Sequence, residues 1–355
     1  MKITIVGAGN IGTQFAVHCA QKGHEVTIYT SNCEKIQNKL FIVDENNQIV
    51  KQGEIRRATN DLKLAFDEAE LIFITIPSFA METLAQKIFP YVKNAYIGLI
   101  PGTGGGECCF AKFIEKNCTI FGLQRVPSVA RLVEYGKSVK AIGYRDCLKI
   151  ATIPKTQKID KIIEEIFDIP CDILSNYLNI TLTPSNPILH TTRLYSLFKN
   201  YNQSPYDYVP LFYEEWSDET SEILFKCDDE HQNICQKLSM FDLSGVKSLK
   251  IHYESDTPQK LTQKIRSIQG FKGLKSPTIE QDGKYIPDFN SRYFTADFPY
   301  GLSIIKQIAN FVDVETKNID IVLNWYKTKQ PTIKEFNYSN YNINNLKEFI
   351  EFYNN

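Results

Sequence analysis

At 355 residues the chain is long enough for two domains, and its 43% hydrophobic and 23% charged residues are an ordinary globular balance. A net charge of −1, with lysines scattered rather than striped, excludes the basic field that nucleic acid binding requires. Nine cysteines, odd in number and irregular in spacing, do not describe a disulfide framework, so free thiols in a reducing cytoplasm are the expectation.

KITIVGAGNIG opens the chain, and Ile3, Ile5 and Val6 read as a strand buried on both faces. Because strand-like sequence begins at Lys2, no signal peptide is expected. Gly7, Gly9 and Gly12 follow at G-x-G-x-x-G spacing, then TQFAVHCAQKG reads as a helix closed by Gly23, and HEVTIYT as a second strand. Strand, glycine loop, helix and strand in about thirty residues is the setting in which this motif binds a dinucleotide. Gly7 is expected to permit the tight turn, Gly9 to let the backbone approach a pyrophosphate, and Gly12 to let the helix pack closely. Asn10 and Ile11 open that helix and join the expected cofactor contacts.

An NAD site usually ends its second strand on Asp or Glu, which holds the ribose 2′-OH. Here the strand ends Tyr29-Thr30-Ser31-Asn32, and Glu34 comes late. The hydroxyls of Thr30 and Ser31, with Lys35 behind them, suit a 2′-phosphate, so NADP is favoured over NAD, although no arginine stands there to clamp it.

LFIVDENNQIVKQGEI alternates and turns on ENN, which predicts an inserted hairpin. LIFITIP (71–77) and AYIGLIPG (95–102) are buried-strand candidates separated by a helix over 79–89. The first is far shorter than the ~20 residues of a membrane span, and its Pro77 is a further expected cofactor contact. IPGTGGGE leaves the second at the carboxyl edge of the sheet, where such folds bind ligands. TIFGLQ and KAIGYRD carry the β-rich pattern to about residue 153. The expected fold is an α/β Rossmann-type doubly wound parallel sheet over 1–175, followed by a mostly α-helical domain over 176–355. TLTPSNP is the polar joint, and helices are expected over 187–200, 213–240, 257–268, 300–311 and 318–328, with a short one closing the tail.

Two stretches of the second half carry chemistry. NPILH holds His190, one of only five histidines, and SRYFTADFPYGL carries Arg292 and, five residues on, Asp297. A carboxylate beside an imidazole fixes its tautomer and stabilises the imidazolium. An arginine is the natural bidentate partner of a substrate carboxylate. By themselves the residues equally allow Asp297 to cap a helix beginning at Pro299, and Arg292 to be a surface ion pair.

Taken together, NPILH, RYFTADFPYGL and QRVPSVARLVEYGKSVKAIGYR (124–145) resemble the octopine/nopaline dehydrogenases, the opine dehydrogenase family. The likeness runs from the glycine loop to about residue 328, with the motifs in the family's order. It implies that His190 is the acid/base and Asp297 its partner. It makes Arg292 the candidate for a substrate carboxylate, with Arg131 a second matching arginine and Asn186 a candidate to orient the nicotinamide. The implied reaction is NAD(P)H-dependent reductive condensation of an amino acid with a 2-oxo acid. The Rossmann domain would supply the cofactor and the helical domain the substrate pocket. The expected partners are therefore small molecules, with no nucleic acid and no membrane, and a homodimer is compatible with the sequence.

Three alternatives stand beside this reading. Ketopantoate reductase-like and 6-phosphogluconate dehydrogenase-like enzymes share the two-domain plan, but they usually depend on a lysine base that has no counterpart motif here. A dinucleotide-binding sensor without turnover would not need the histidine and aspartate. Cys227, His231 and Cys235, four apart on one helix face, have donor types that suit zinc, yet they lack an evident fourth ligand, and Asp228, Asp229 and Glu230 among them point to a solvated face. No metal is expected.

Overall fold

Ile3, Ile5 and Val6 leave no polar face for solvent, and the strand they form lies in the interior of an eight-stranded sheet. In this computed structural model, which describes residues 1–156 and 158–354, the first half runs β1 (Lys2–Val6), α1 (Asn10–Gln21), β2 (Glu25–Tyr29), β3 (Lys39–Val43), β4 (Ile49–Glu54), β5 (Arg57–Thr59) and α2 (Leu62–Phe66). It continues with β6 (Leu71–Ile74), α3 (Met81–Ile88), β7 (Tyr96–Leu99), α4 (Gly106–Phe110), β8 (Thr119–Leu123), β9 (Val129–Glu134) and β10 (Ser138–Ile142). β11 (Leu148–Ile153), α5 (Ile159–Phe167), β12 (Cys171–Ile173) and α6 (Leu178–Thr181) complete it.

The large sheet has the order β12-β11-β8-β7-β6-β1-β2-β5. Its order reverses at β1, so the first crossovers go one way to β2 and the later ones the other way to β6 and β7. That reversal opens a crevice at the carboxyl ends of the strands, the place where ligands bind to such sheets. The sheet is not wholly parallel: β11 runs antiparallel to β8. The chain returns to it through the β9–β10 hairpin and not through a crossover helix, so parallel pairing is not imposed there.

The hairpin expected at ENN is β3–β4, turned through Asn47 at φ +59°. β3 also pairs in parallel with β10, which joins both hairpins into a second, four-stranded sheet. That sheet packs on α1. Gly12 through Cys19 are consequently all buried, because the helix meets a sheet on either side. His18 illustrates the cost to a titratable group: burial drives its pKa down to about 3, and Nε2 lies 3.0 Å from the Tyr144 hydroxyl.

Contacts divide the chain into two compact units, Met1–Thr181 with the C-terminal residues from Glu351 on, and Leu182–Ile350. The expected boundary at 175/176 falls just before α6, which stays with the first unit. The last residues were expected in the second domain. They lie with the first because the Tyr353 hydroxyl, itself buried, donates to Glu107 Oε1 at 2.8 Å. Glu107 also accepts from Thr181 Oγ1 at 2.6 Å, and burial pushes its carboxyl upward from the usual range.

The second unit is mostly helical. A π-helical turn, Ser185–His190, runs into α7 (Thr191–Phe198). Then come α8 (Asp218–Lys237), α9 (Leu249–His252), α10 (Pro258–Ser267) and a hairpin of β13 (Thr278–Gln281) and β14 (Lys284–Pro287). A second π-helical segment, Tyr293–Leu302, continues directly into α11 (Ser303–Phe311), followed by α12 (Lys317–Lys329) and the first part of α13 (Leu346–Asn354), whose residues from Glu351 on belong to the first unit. The long helix expected from 213 starts later, where the Ser217 side chain caps it by accepting from the Thr220 amide. The face of α8 expected to be solvated is core instead: Cys227, Asp228 and His231 are fully buried. Burial holds His231 down at about 4 and Asp228 up at about 7. Among the described residues no group of three His, Cys, Asp or Glu is placed to hold a metal, and no helix is long and apolar enough to cross a membrane.

Candidate functional site

The glycine loop gives each glycine a different reason. Gly7 turns at φ +98°, a conformation that side chains disfavour, and its amide donates to Tyr29 O at 3.0 Å. Gly12 could carry no Cβ, because the added atom would lie 1.9 Å from Gly7 O, so helix and loop touch backbone to backbone. At Gly9 an added Cβ would meet nothing within 4 Å. This is the open cradle that a pyrophosphate would fill. Gly9 is also the N-cap of α1 with no side-chain cap, and the first turn holds no acid. The amides of Asn10, Ile11 and Gly12 are among those that a helix N-terminus leaves available to an anion.

The other expected cofactor residues line the same carboxyl edge. Thr75 Oγ1 donates to Val6 O at 2.7 Å, which brings the exit of β6, with half-buried Pro77, beside the glycine loop. The Thr30 amide donates to Thr59 O at 3.0 Å, extending the β2–β5 pairing, and its Oγ1 accepts from the Asn32 amide at 3.4 Å. Ser31 and Lys35 beyond it are exposed. The side chain of Asn10 has a structural partner: Oδ1 accepts from the Leu132 amide at 2.8 Å and ties α1 to β9. Arg131, next along β9, is exposed, lies on the strand face opposite buried Ala130, and donates to the Ala130 carbonyl at 2.8 Å. It belongs to the first unit and His190 to the second.

In the second unit, residues 190 and 297, far apart in sequence, meet. His190 Nδ1 lies 2.8 Å from Asp297 Oδ2, with side chains 13% and 18% exposed. Both sit in π-helical segments, which are frequent at functional sites. Pro299 has no amide to donate and would break an α-helix, and the wider π turn absorbs it. Asp297 is thus inside a helix and is not the cap of one starting at Pro299. Arg292 is the N-cap of the same π-helical segment, five residues before Asp297. The two segments pack against each other at Gly301 and Pro187, where a Cβ on Gly301 would lie 3.2 Å from Pro187 Cβ and Cγ. The proline of NPILH and the glycine of DFPYGL are therefore one place where the segments that carry histidine and aspartate touch closely.

Arg292 and Asn186 are exposed. Arg56 is ion-paired with Glu25, whereas no ion pair of Arg292 is found among the described residues. A residue that sequence reasoning missed completes the histidine's surroundings: the Tyr213 hydroxyl lies 2.9 Å from His190 Nε2. Tyr213 stands in PLFYEEW, which carries no motif, and only the density of aromatic residues sets it apart. Phe212 and Tyr293 wall the imidazole edge-on, at centroid distances of 5.7 and 5.0 Å.

A family model described as NAD/NADP octopine/nopaline dehydrogenase, alpha-helical domain, matches residues 173–329, which contain His190, Arg292 and Asp297. Over those residues the chain is similar to the octopine/nopaline dehydrogenase family. The model of the NAD-dependent glycerol-3-phosphate dehydrogenase N-terminus matches residues 2–107. Tauropine dehydrogenase of Arabella iricolor is 26% identical over 91% of this chain and 90% of its own length. Octopine dehydrogenase of Mizuhopecten yessoensis is 26% identical over 93% and 90%. The structure of an octopine dehydrogenase with NADH and L-arginine superposes with a TM-score of 0.81 at 23% identity, covering 93% of this chain and 90% of that one, and shows the shared fold.

Proposed function

We propose that the protein catalyses reductive condensation of an amino acid with a 2-oxo acid such as pyruvate, giving an N-(carboxyalkyl) amino acid, and the reverse oxidation. The His190–Asp297 pair at 2.8 Å, in the unit that matches the octopine/nopaline model, carries this reading. The names of the relatives, octopine and tauropine dehydrogenase, support the substrate class.

In this reaction NAD(P)H supplies the hydride. The amides that open α1 would hold the pyrophosphate, and Pro77, at the exit of β6, would contact the bound cofactor. An ionised Asp297 can only accept, so Nδ1 of His190 carries the proton and Nε2 faces the chemistry. His190 removes a proton as the amine adds to the carbonyl and returns one as the hydroxyl leaves as water, while Asp297 holds the imidazolium in between. Arg292, exposed at the N-cap of the segment that carries Asp297, clamps a substrate carboxylate, and Asn186 orients the nicotinamide. Arg131, the second matching arginine, is the alternative anchor.

NADP is the preferred dinucleotide in this proposal. Thr30 and Ser31 stand where an acid would repel a 2′-phosphate, with Lys35 exposed just beyond. The test is steady-state oxidation of NADPH and of NADH with pyruvate, with and without a panel of amino acids. The reading expects oxidation that requires both substrates. Oxidation with the oxo acid alone would mark a simple oxo-acid reductase. NADH favoured in kcat/KM would mean that the hydroxyls bind a plain ribose.

A further inference from the structure

We propose that Tyr213 is a third catalytic residue, a fixed phenol that relays the proton between His190 Nε2 and the substrate oxygen. The inference rests on the reaction proposed above. It starts from what is left of the imidazole once Asp297 is in place. Nδ1 is held by the carboxylate at 2.8 Å, so any proton that His190 exchanges with substrate passes through Nε2. The atom at Nε2 is the Tyr213 hydroxyl, at 2.9 Å.

That hydroxyl does not vacate its position by a simple rotation. Tyr213 is 5% exposed. Its ring stacks on Phe271 at 4.0 Å and 15°, and lies parallel to Trp216 at 6.3 Å and 7°. Phe212 closes a third side at 4.8 Å. The backbone is pinned as well: the Phe212 amide donates to Leu274 O at 2.7 Å. The buried guanidinium of Arg193 donates through Nε to Phe212 O at 2.7 Å and through Nη2 to Leu211 O at 3.2 Å. Arg193 is three residues after His190, on the same face of the same helical run. One helix therefore sets both the imidazole and, through these carbonyls, the segment that carries the phenol.

The relay balances without a further reactant. When His190 is neutral with its proton on Nδ1, the phenol donates to Nε2. Once His190 has taken a proton, Nε2–H donates to the phenol oxygen, which frees the phenolic hydrogen for the substrate. As the carbinolamine collapses, its C–O bond breaks and the nitrogen lone pair forms C=N. The leaving oxygen takes the proton of Tyr213, Tyr213 takes that of Nε2, and water departs. Histidine ends neutral and tyrosine ends a phenol.

Tyr213→Phe keeps the stack and removes only the hydroxyl. With the oxo acid and amine that the wild type turns over, kcat is expected to fall about 10²-fold, the scale of one acid–base group, with cofactor Kd unchanged. The rate in mixed H2O and D2O adds a readout that a purely structural role would not move. Wild type should give a curved dependence on deuterium fraction, as for two protons in flight, and Tyr213→Phe a linear one. Unchanged kcat, or unchanged kcat with a lower KM for the oxo acid, overturns the relay, since the hydroxyl would then merely compete with substrate. A linear dependence in wild type overturns it as well. A wild type that turns over no oxo acid and amine pair instead overturns the reaction itself, and the relay with it, an outcome visible before any variant is made.

Discussion

Asp297→Asn isolates what the carboxylate does, because asparagine has nearly the same shape. If the amide oxygen faces Nδ1–H, the 2.8 Å bond survives but loses its charge. Charge-assisted bonds are worth ~1.5–3 kcal/mol against ~0.5–1.5 for neutral ones, so the imidazolium loses roughly 1–1.5 kcal/mol, about 5- to 10-fold in rate. If the amide nitrogen turns to Nδ1 instead, it donates, and the imidazole proton moves to Nε2. Nε2 then donates to Tyr213, and the histidine is no longer a base on that side. That second arrangement is expected to win, since Nε2–H finds a ready acceptor in the phenol oxygen. The acid–base contribution then goes with it, for an expected fall in kcat of about 10²–10⁴-fold. Cofactor affinity should hold, because the glycine loop lies in the other unit. The assay is stopped-flow or steady-state NAD(P)H oxidation at saturating substrates, with cofactor Kd from nucleotide fluorescence. Combining the change with His190→Ala should add little, as for two members of one device. A kcat within about fivefold of wild type across the pH range would refute the argument.

Three other outcomes follow from the geometry. Gly12→Ala places a Cβ 1.9 Å from Gly7 O, where ~3.3 Å is the normal carbon–oxygen contact, so the helix must retreat by more than about 1 Å; cofactor titration should show binding weakened at least about 100-fold, and near-normal affinity would mean that the loop yields freely. Arg292→Lys removes a planar fork and should raise the KM of one substrate about 10- to 150-fold with cofactor Kd unchanged; KM values within about twofold would send the search for the carboxylate anchor elsewhere. Asp228, raised to about 7 by burial against an unfolded value of ~3.9, binds its proton more tightly in the folded state, so its penalty grows as pH rises from about 4 to about 7. Asp228→Asn keeps an acceptor for the Leu249 amide, which lies 2.7 Å from Oδ2, and should stabilise by about 2–4 kcal/mol at pH 8 and by less at pH 5; equal gains in urea unfolding at the two pH values would rule out its titration.

Much of the first unit was legible because its signals are local. The glycine spacing, the apolar runs of β1 and β6 and the ENN turn each report on a few adjacent residues, and each structural outcome follows from them. The antiparallel β11 was not legible, since direction in a sheet is set by how the chain returns and not by the strand's own composition. The hairpin β13–β14 was missed although Asp282-Gly283, both at positive φ, is a strong turn signal. Polar residues around it obscured the alternation. The acidic run at 228–230 misled, because burial of Asp228 depends on α9 presenting an amide to it from a distant part of the chain. His190 and Asp297 were found as two motifs, and nothing within either motif says that they meet. The π turns and the Gly301–Pro187 contact, one place where their segments touch closely, are tertiary facts. Tyr213 had no motif at all, so only the fold discloses it.

The most direct test of the central claim is the identity of the product. With 4-deuterated NAD(P)H, pyruvate and the amine that supports turnover, mass spectrometry should find a secondary-amine dicarboxylate with one deuterium on the former carbonyl carbon, and His190→Ala should lower its yield about 10²–10⁴-fold with cofactor affinity intact. Deuterated lactate as the sole product, or an undiminished yield of the secondary amine from His190→Ala, would contradict the account.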